Sequence, residues 1–150
     1  MLGLYGRKIV EAQTAGLPKH LYLPGPRRGL WNAACLSPPA LAASQGGLIL
    51  CEAVIDALTF WEHGHRKVTT AYGVEGFTQE IEDAIVAAKV RTVFLAFDRD
   101  DPGDRGAGKA GERLRARGVE CRRVLFPHNL DANEYARKVA PGPGSRSRSS

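Results

Sequence analysis

The chain has 150 residues, the usual size of one domain, and its 43% hydrophobic and 25% charged residues are typical of a soluble globular protein. No apolar run reaches the roughly 20 residues of a membrane helix, and the first residues lack the apolar core of a signal peptide, so we expect a cytoplasmic protein with no membrane partner. The net charge of +5 favours polyanionic partners.

The N-terminal part, residues 1–37, is predicted to be a small β-rich segment. Two short extended pieces at 7–12 and 19–23 are followed by a proline- and glycine-rich turn. Because so few residues cannot bury a core of their own, we expect this segment to lean on the domain that follows. A connector at 38–47, rich in proline at its start and glycine at its end, separates the two.

From residue 48 onward, strand and helix patterns alternate. Short apolar runs predict four strands, at residues 48–51, 68–71, 92–97 and 119–125. Helical periodicity predicts four helices, at residues 53–63, 79–88, 108–117 and 131–139. Thr78 is a candidate N-cap and Gly118 a helix stop. This order predicts an α/β domain over 48–140 with a parallel sheet flanked by helices, followed by a disordered basic tail at 141–150.

Acidic residues follow the predicted strands. Glu52 ends the first strand, with Asp56 one helical turn further on, and Asp98 and Asp100 follow the third strand. Ligands of parallel sheets bind beyond the carboxyl ends of the strands, so we expect Glu52, Asp98 and Asp100 to converge. Clustered carboxylates suit Mg²⁺ or Mn²⁺, which orients oxygens for displacement at phosphorus. The alternative is that these acids merely cap the helices that follow.

These stretches resemble the Toprim domain, and within it the bacterial primase branch. The resemblance covers about residues 47–139 and rests on three stretches, 48–58 with Glu52 and Asp56, 71–73, and 96–103 with Asp98 and Asp100. It implies a Rossmann-like Toprim fold and Mg²⁺-dependent nucleotidyl transfer, in which nucleotides are joined into an RNA primer on a single-stranded DNA template. It further implies a replication or mobile-element protein.

The resemblance also implies roles for individual acids. Glu52 matches the family's catalytic acid, which acts in acid/base chemistry or binds metal, and Asp98 and Asp100 match its metal-binding pair. Asp56 and Asp131 match outer acids that help to hold the metals.

Basic residues form the predicted nucleic-acid and nucleotide contacts. The segment before residue 38 resembles the region that precedes Toprim in primases, which would place Lys19, Arg27 and Arg28 near the nucleic acid or the incoming nucleotide. Arg105 and Lys109 follow the acidic strand end, where they would lie near a metal-bound phosphate or be solvated on a helix.

The chain departs from the primase pattern in several ways. Ala53 replaces the usual glycine after the catalytic acid, and Asn133 stands where primases commonly have an aspartate. We expect a chain that lacks the zinc-binding module, most of the basic subdomain and the helicase-contacting domain, so a helicase or a zinc module would act in trans. Two alternatives stay open: a Toprim-type metal-dependent nuclease that uses the same acids, and a catalytically inert nucleic-acid binding module.

Three other patterns are ambiguous. Residues 103–110 nearly match a phosphate-binding P-loop, but Ala110 replaces the metal-binding hydroxyl and the surrounding aspartates disfavour phosphate. Arg113 and Arg117 share one side of a helix, which fits a nucleic-acid face as well as a solvated surface. The aromatic residues Trp31, Phe60 and Trp61 are interpreted as core rather than as base-stacking platforms.

Overall fold

The computed structural model describes residues 5–7, 20–22, 24–25, 28–38, 47–127, 131–133 and 135. In the N-terminal part, β1 (Tyr5–Arg7) and β2 (His20–Tyr22) pair antiparallel, with Gly6 opposite Leu21. Most of the extended piece predicted at 7–12, most of the 38–47 connector and the whole 141–150 tail lie outside the described residues.

The main sheet is parallel, as the sequence predicts. Its strands are β3 (Leu48–Cys51), β4 (Val68–Thr70), β5 (Thr92–Ala96) and β6 (Glu120–Arg123). They lie in the order β4-β3-β5-β6, and every neighbouring pair is parallel. The connecting helices are α1 (Val54–Glu62), α2 (Gln79–Ala87) and α3 (Asp101–Ala116). The predicted α/β class with a parallel sheet is therefore confirmed.

The two faces of the sheet carry different helices. On one face α2 and α3 cover a large apolar cluster that includes the strand residues Leu48, Leu50, Val93 and Leu95. On the other face α1 packs on a smaller cluster built around Cys51, Ala57, Val68 and Ala96. Trp31, Phe60 and Trp61 pack against this second cluster, which agrees with their interpretation as core.

This arrangement creates a crevice at one edge of the sheet. From β3 the chain crosses to β4 on one side, whereas from β5 it crosses to β6 on the other. The loops after β3 and β5 therefore diverge onto opposite faces, and the gap between them is where ligands of open parallel sheets bind. The residues directly after β3 and β5 are those that the sequence marks as acidic.

A short segment before the sheet lies along the edge strand β4. The side-chain amide of Asn32 donates to the carbonyls of Arg66 and Val68 at 3.0 and 2.8 Å, and the Thr69 hydroxyl donates to the carbonyl of Trp31 at 2.6 Å. A single 3-10 turn, Ala33–Leu36, follows. Trp31 and Asn32, near the end of the N-terminal segment, are thus bound to the α/β domain. No helix of the described residues has the length and apolar character needed to cross a membrane.

Helix α3 begins seven residues earlier than its periodicity predicts. The side chain of Asp100 caps it by accepting from the Gly103 amide at 2.8 Å, and Pro102 lies in its first turn. Buried Gly103 and Gly106 let this turn approach the sheet, since a Cβ on Gly106 would meet Val74 and Phe97. Residues 103–110 are therefore helical and do not form a P-loop.

An ion-pair cluster joins α2 to α3. Glu82 of α2 is 5% exposed, and its carboxylate accepts from Arg113 Nε at 2.8 Å and Arg117 Nη1 at 3.0 Å. Arg113 also donates to the carbonyl of Phe77 at 2.7 Å. The two side chains keep substantial exposure, 40% for Arg113 and 38% for Arg117, so this contact leaves open both interpretations from sequence, a nucleic-acid face and a solvated surface.

Glu82→Ala is expected to lower the free energy of unfolding by about 1–3 kcal/mol, because the change removes the acceptor that holds both arginines against α2. Urea unfolding measures the effect, and Glu112→Ala on the exposed side of α3 is the control. A Glu82→Ala protein as stable as the control would show that the cluster contributes nothing to stability.

Candidate metal centre

Glu52 is held firmly at the carboxyl end of β3. Its carbonyl accepts from the Gly73 amide at 2.8 Å and from the Thr70 hydroxyl at 3.0 Å, so the neighbouring strand β4 and its loop fix the backbone. The next residue, Ala53, is extended at φ −113°, a conformation open to any L-amino acid. Alanine in place of the family's glycine therefore causes no backbone strain at this position.

The loop after β5 brings two more acids to the same edge. The backbone amide of Asp98 donates to the Glu52 carboxylate, with 3.4 Å between Asp98 N and Glu52 Oε2. Asp100 follows two residues later and caps α3. Gly103 lies against the Asp98 carbonyl, where a Cβ would collide, so its lack of a side chain lets the helix start directly behind the loop. The alternative that these acids merely cap helices therefore holds for one oxygen of Asp100, which caps α3. It does not explain the positions of Glu52 and Asp98.

Asp56 lies beneath this edge, in the first turn of α1, and is 3% exposed. A backbone hydrogen bond from Ala53 reaches its carboxyl group, yet its Oδ1 is buried without a hydrogen-bond partner among the described residues. A buried carboxylate oxygen without a partner is costly, so such an atom in a native fold calls for an explanation such as an ion. Asp131 lies close enough to Asp56 to raise its pKa.

The acids perturb one another strongly. Burial, then the charges of Asp98 and Asp100, raise the pKa of Glu52 to about 7, although the Asp98 amide and Arg123 act in the opposite direction. Burial, then the charges of Asp131, Asp98 and Glu52, raise the pKa of Asp56 to about 8. These shifts show that the sequence-predicted acids share one electrostatic environment in the folded chain. A divalent cation would relieve their repulsion.

The donor set fits Mg²⁺ or Mn²⁺, which take carboxylate oxygens and retain several waters. Within the described ranges, no three acidic, histidine or cysteine side chains are positioned to ligate one ion together. An ion here would therefore be held by one or two carboxylates, with water or phosphate oxygens completing its shell, a pattern typical of Mg²⁺ sites. The unpartnered Asp56 oxygen and the raised pKa of Glu52 both favour such an ion.

The basic residues predicted to contact nucleic acid are only partly described. Lys19 and Arg27 lie outside the described residues. Arg28 is exposed next to Gly29, whose amide donates to Glu80 in the first turn of α2 at 3.0 Å.

The two predicted basic residues of α3 lie on its surface. Arg105 is exposed, and Lys109 pairs with the exposed Glu75 at 2.8 Å. The structure thus leaves both readings of Arg105 and Lys109 open, since a surface position on this helix fits solvation and phosphate contact alike.

The sequence analysis did not place Arg123 at this edge. Arg123 ends β6, and its guanidinium donates to the Asp98 carbonyl and to Asp104 Oδ1, both at 2.8 Å. The strand predicted at 119–125 runs two residues past Arg123, so its position at the end of β6 appears only in the structure.

Together, these features define a class of protein: an open parallel α/β domain with a cluster of coupled acids at the point where the chain direction switches. A family model described as Toprim-like matches residues 49–136, and the chain belongs to this family.

The relatives of the chain are DNA primases. It is 26% identical over 141 residues to the DNA primase of Aquifex aeolicus, covering 92% of this chain and 27% of that protein. The solved zinc-binding and RNA polymerase domains of the Aquifex aeolicus primase align with a TM-score of 0.67 at 24% identity, over 92% of this chain and 34% of that one. A DNA primase domain from Pseudomonas aeruginosa aligns with a TM-score of 0.68 at 19% identity, over 91% of this chain and 43% of that one. The chain is thus a primase-like Toprim domain spanning about a quarter of the length of its curated relative.

Proposed function

We propose that this domain carries the catalytic acids of a primase-type nucleotidyltransferase, which joins nucleotides on a single-stranded DNA template with Mg²⁺ or Mn²⁺. The observation that carries the proposal is the acidic cluster between β3 and β5, at the sheet edge where ligands bind, in which Asp56 is buried, Glu52 and Asp98 are partly buried and Asp100 is exposed. The likeness of the chain to a DNA primase supports the choice of reaction.

Each acid has a distinct part in this proposal. Glu52 is the acid/base group, because its carboxylate lies at the end of β3 within 3.4 Å of the Asp98 amide, and because burial and the charges of Asp98 and Asp100 raise its pKa in the metal-free protein. Asp98 and Asp100 bind the metal next to the nucleotide phosphates. The buried Asp56 and the nearby Asp131 add negative charge that helps to hold the metal. A bound divalent cation would supply Lewis-acid stabilisation of the phosphoryl oxygens.

Electrostatics also bear on substrate entry. Nucleotides are polyanions, and an acidic cluster without metal repels them, so metal must be bound before or together with the nucleotide. Arg28, Arg105 and Lys109 are exposed and positively charged, which suits contacts to phosphates that approach this edge. A helicase or a zinc-binding module is proposed as a further partner.

The test is primer synthesis by the chain itself. Incubated with single-stranded DNA, ribonucleotides and Mg²⁺ or Mn²⁺, it is expected to form dinucleotides. Glu52→Gln should lower the rate by about 100-fold or more, the usual contribution of general acid–base catalysis. The matched control is Glu62→Gln, because Glu62 is an exposed glutamate at the far end of α1.

Other results would select the other functions. Nicking of plasmid DNA without nucleotides, together with no dinucleotide product, would replace synthesis by cleavage. Salt-dependent DNA binding that ignores Mg²⁺ and survives Glu52→Gln, with neither product formed, would identify an inert binding module.

A further inference from the structure

Arg123 lies behind the acidic loop rather than at the surface. It is the last residue of the edge strand β6, and its side chain is 20% exposed. The preceding residue, Arg122, has a side chain that is 64% exposed and pairs with Glu120 of the same strand. The two neighbouring arginines therefore point to opposite sides of the strand, and Arg123 is the one that faces the protein.

The guanidinium of Arg123 binds the end of β5 through backbone carbonyls. Its Nη1 donates to the carbonyls of Leu95 at 3.0 Å and Phe97 at 2.9 Å, and its Nη2 donates to the carbonyl of Asp98 at 2.8 Å. These carbonyls lie where β5 leaves the sheet. The planar fork of arginine can reach several acceptors at once, which the single ammonium of lysine cannot match geometrically.

The same guanidinium also holds the far side of the loop. Its Nη2 lies 2.8 Å from Asp104 Oδ1 in α3, and Asp104 in turn accepts from Arg99 at 3.4 Å. Arg123 thus joins the segment that enters the acidic loop to the helix that leaves it. Asp98 and Asp100 lie between these two anchor points.

We infer that Arg123 is a positioning residue, which holds the Asp98–Asp100 loop in the conformation that binds metal. It does not touch the metal or the nucleotide; it acts through the backbone of Asp98 and through Asp104. The inference rests on the proposed function, because it presupposes that these acids bind a divalent cation.

Charge and geometry predict opposite effects of removing Arg123. Its positive charge lies near the acids and lowers the pKa of Glu52, so charge by itself predicts that Arg123→Met binds Mg²⁺ more tightly. A positioning role predicts weaker binding, by about 10- to 100-fold, the usual effect of changing a residue that orients metal ligands. Arg122→Met removes the same charge from the same strand and is the matched control.

The experiment is Mg²⁺ and Mn²⁺ titration by calorimetry of wild type, Arg123→Met, Arg123→Lys and Arg122→Met. We expect weaker binding in both Arg123 variants and unchanged binding in Arg122→Met. Arg123→Lys retains the charge and the aliphatic stem, so it decides the question if Arg123→Met fails to fold. Faster amide exchange at residues 98–104 in metal-free Arg123→Lys is the second readout.

The possible failures are distinguishable. Wild type that binds metal while both Arg123 variants bind equally well or better would overturn the positioning role and leave the proposed function standing. Absence of binding in the wild type would overturn the metal site itself, and the positioning role with it. Equal weakening in Arg122→Met would show a general perturbation of β6 that does not depend on the contacts of Arg123, and would also overturn the inference.

Discussion

Asp98→Asn is expected to weaken Mg²⁺ and Mn²⁺ binding by about 100-fold or more without unfolding the protein. The loss is large because a charged oxygen ligand is replaced by a neutral one, in a site where two unit charges about 4 Å apart interact by roughly 4 kcal/mol. We expect the fold to survive because two contacts of Asp98 are made by its backbone and do not depend on its carboxylate. Its amide donates to Glu52 and its carbonyl accepts from Arg123, and asparagine retains both groups.

Calorimetric titration of wild type against Asp98→Asn measures this effect, with Asp83→Asn as the matched control. Asp83 is an exposed aspartate of α2 that pairs with Arg117, away from the acidic edge. Asp100→Asn should also weaken binding while leaving α3 intact, because asparagine caps helices as well as aspartate does. Metal affinity unchanged in both variants would show that the predicted ligands are wrong.

The metal-free protein is expected to lose stability as the pH rises from about 4 to 8. In the folded state the pKa values of Glu52 and Asp56 are about 7 and 8, whereas in an unfolded chain carboxyl groups titrate near 4. Between those values the folded state binds more protons than the unfolded state. The free energy of unfolding therefore falls with rising pH across this window, and the loss is complete once the pH exceeds the folded pKa values.

Asp56→Asn should remove much of this dependence and raise the stability of the metal-free protein at pH 8 by about 1–3 kcal/mol, since it deletes a buried, repelled charge. The same change should reduce the stabilisation that Mg²⁺ gives, because stabilisation by a ligand follows its affinity for the folded state. Thermal unfolding between pH 4.5 and 8.5, with and without Mg²⁺, measures both effects. A metal-free protein that gains stability toward pH 8, or an Asp56→Asn protein less stable than wild type there, would contradict the shared electrostatics of the cluster.

Both predictions follow from the same cause: without metal, repulsion between the acids lowers the free energy of unfolding. Four of the acids, Glu52, Asp56, Asp98 and Asp100, lie on or beside the β3 and β5 strand ends, and burial limits the screening of Glu52 and Asp56 by water. Sites of this kind exchange stability for function, and the unpartnered Asp56 oxygen is the clearest sign of it in the described structure. The metal dependence of stability is therefore as informative as the metal dependence of activity.

The sequence was sufficient for features with short-range causes. Apolar runs predict the strands β3 and β5, because a strand covered on both faces needs continuous hydrophobic residues. Thr78 caps α2 as predicted, with its hydroxyl accepting from the Ile81 amide at 3.4 Å, because capping depends on residues three positions apart. The meeting of Glu52 and Asp98 also requires β3 and β5 to be neighbours, and the alternation of strands and helices implies their parallel direction but not this order.

Features that depend on partners distant in sequence could be decided only by the tertiary structure. Helix α3 starts at Asp101 because Gly103 and Gly106 fit against a sheet and a loop that local periodicity does not contain. Arg113 and Arg117 pair with the buried Glu82, more than 30 residues away in sequence, and no local pattern predicts this contact.

The sequence by itself therefore determined the parallel α/β domain and the acids at its ligand-binding edge, because both follow from patterns within a few neighbouring residues. Only the tertiary structure decided which basic side chains pair with acids elsewhere in the chain and which contact the loop that carries Asp98 and Asp100. A guanidinium such as that of Arg123 takes its role from the carbonyls and carboxylates that folding brings within about 3 Å, and no local pattern encodes them.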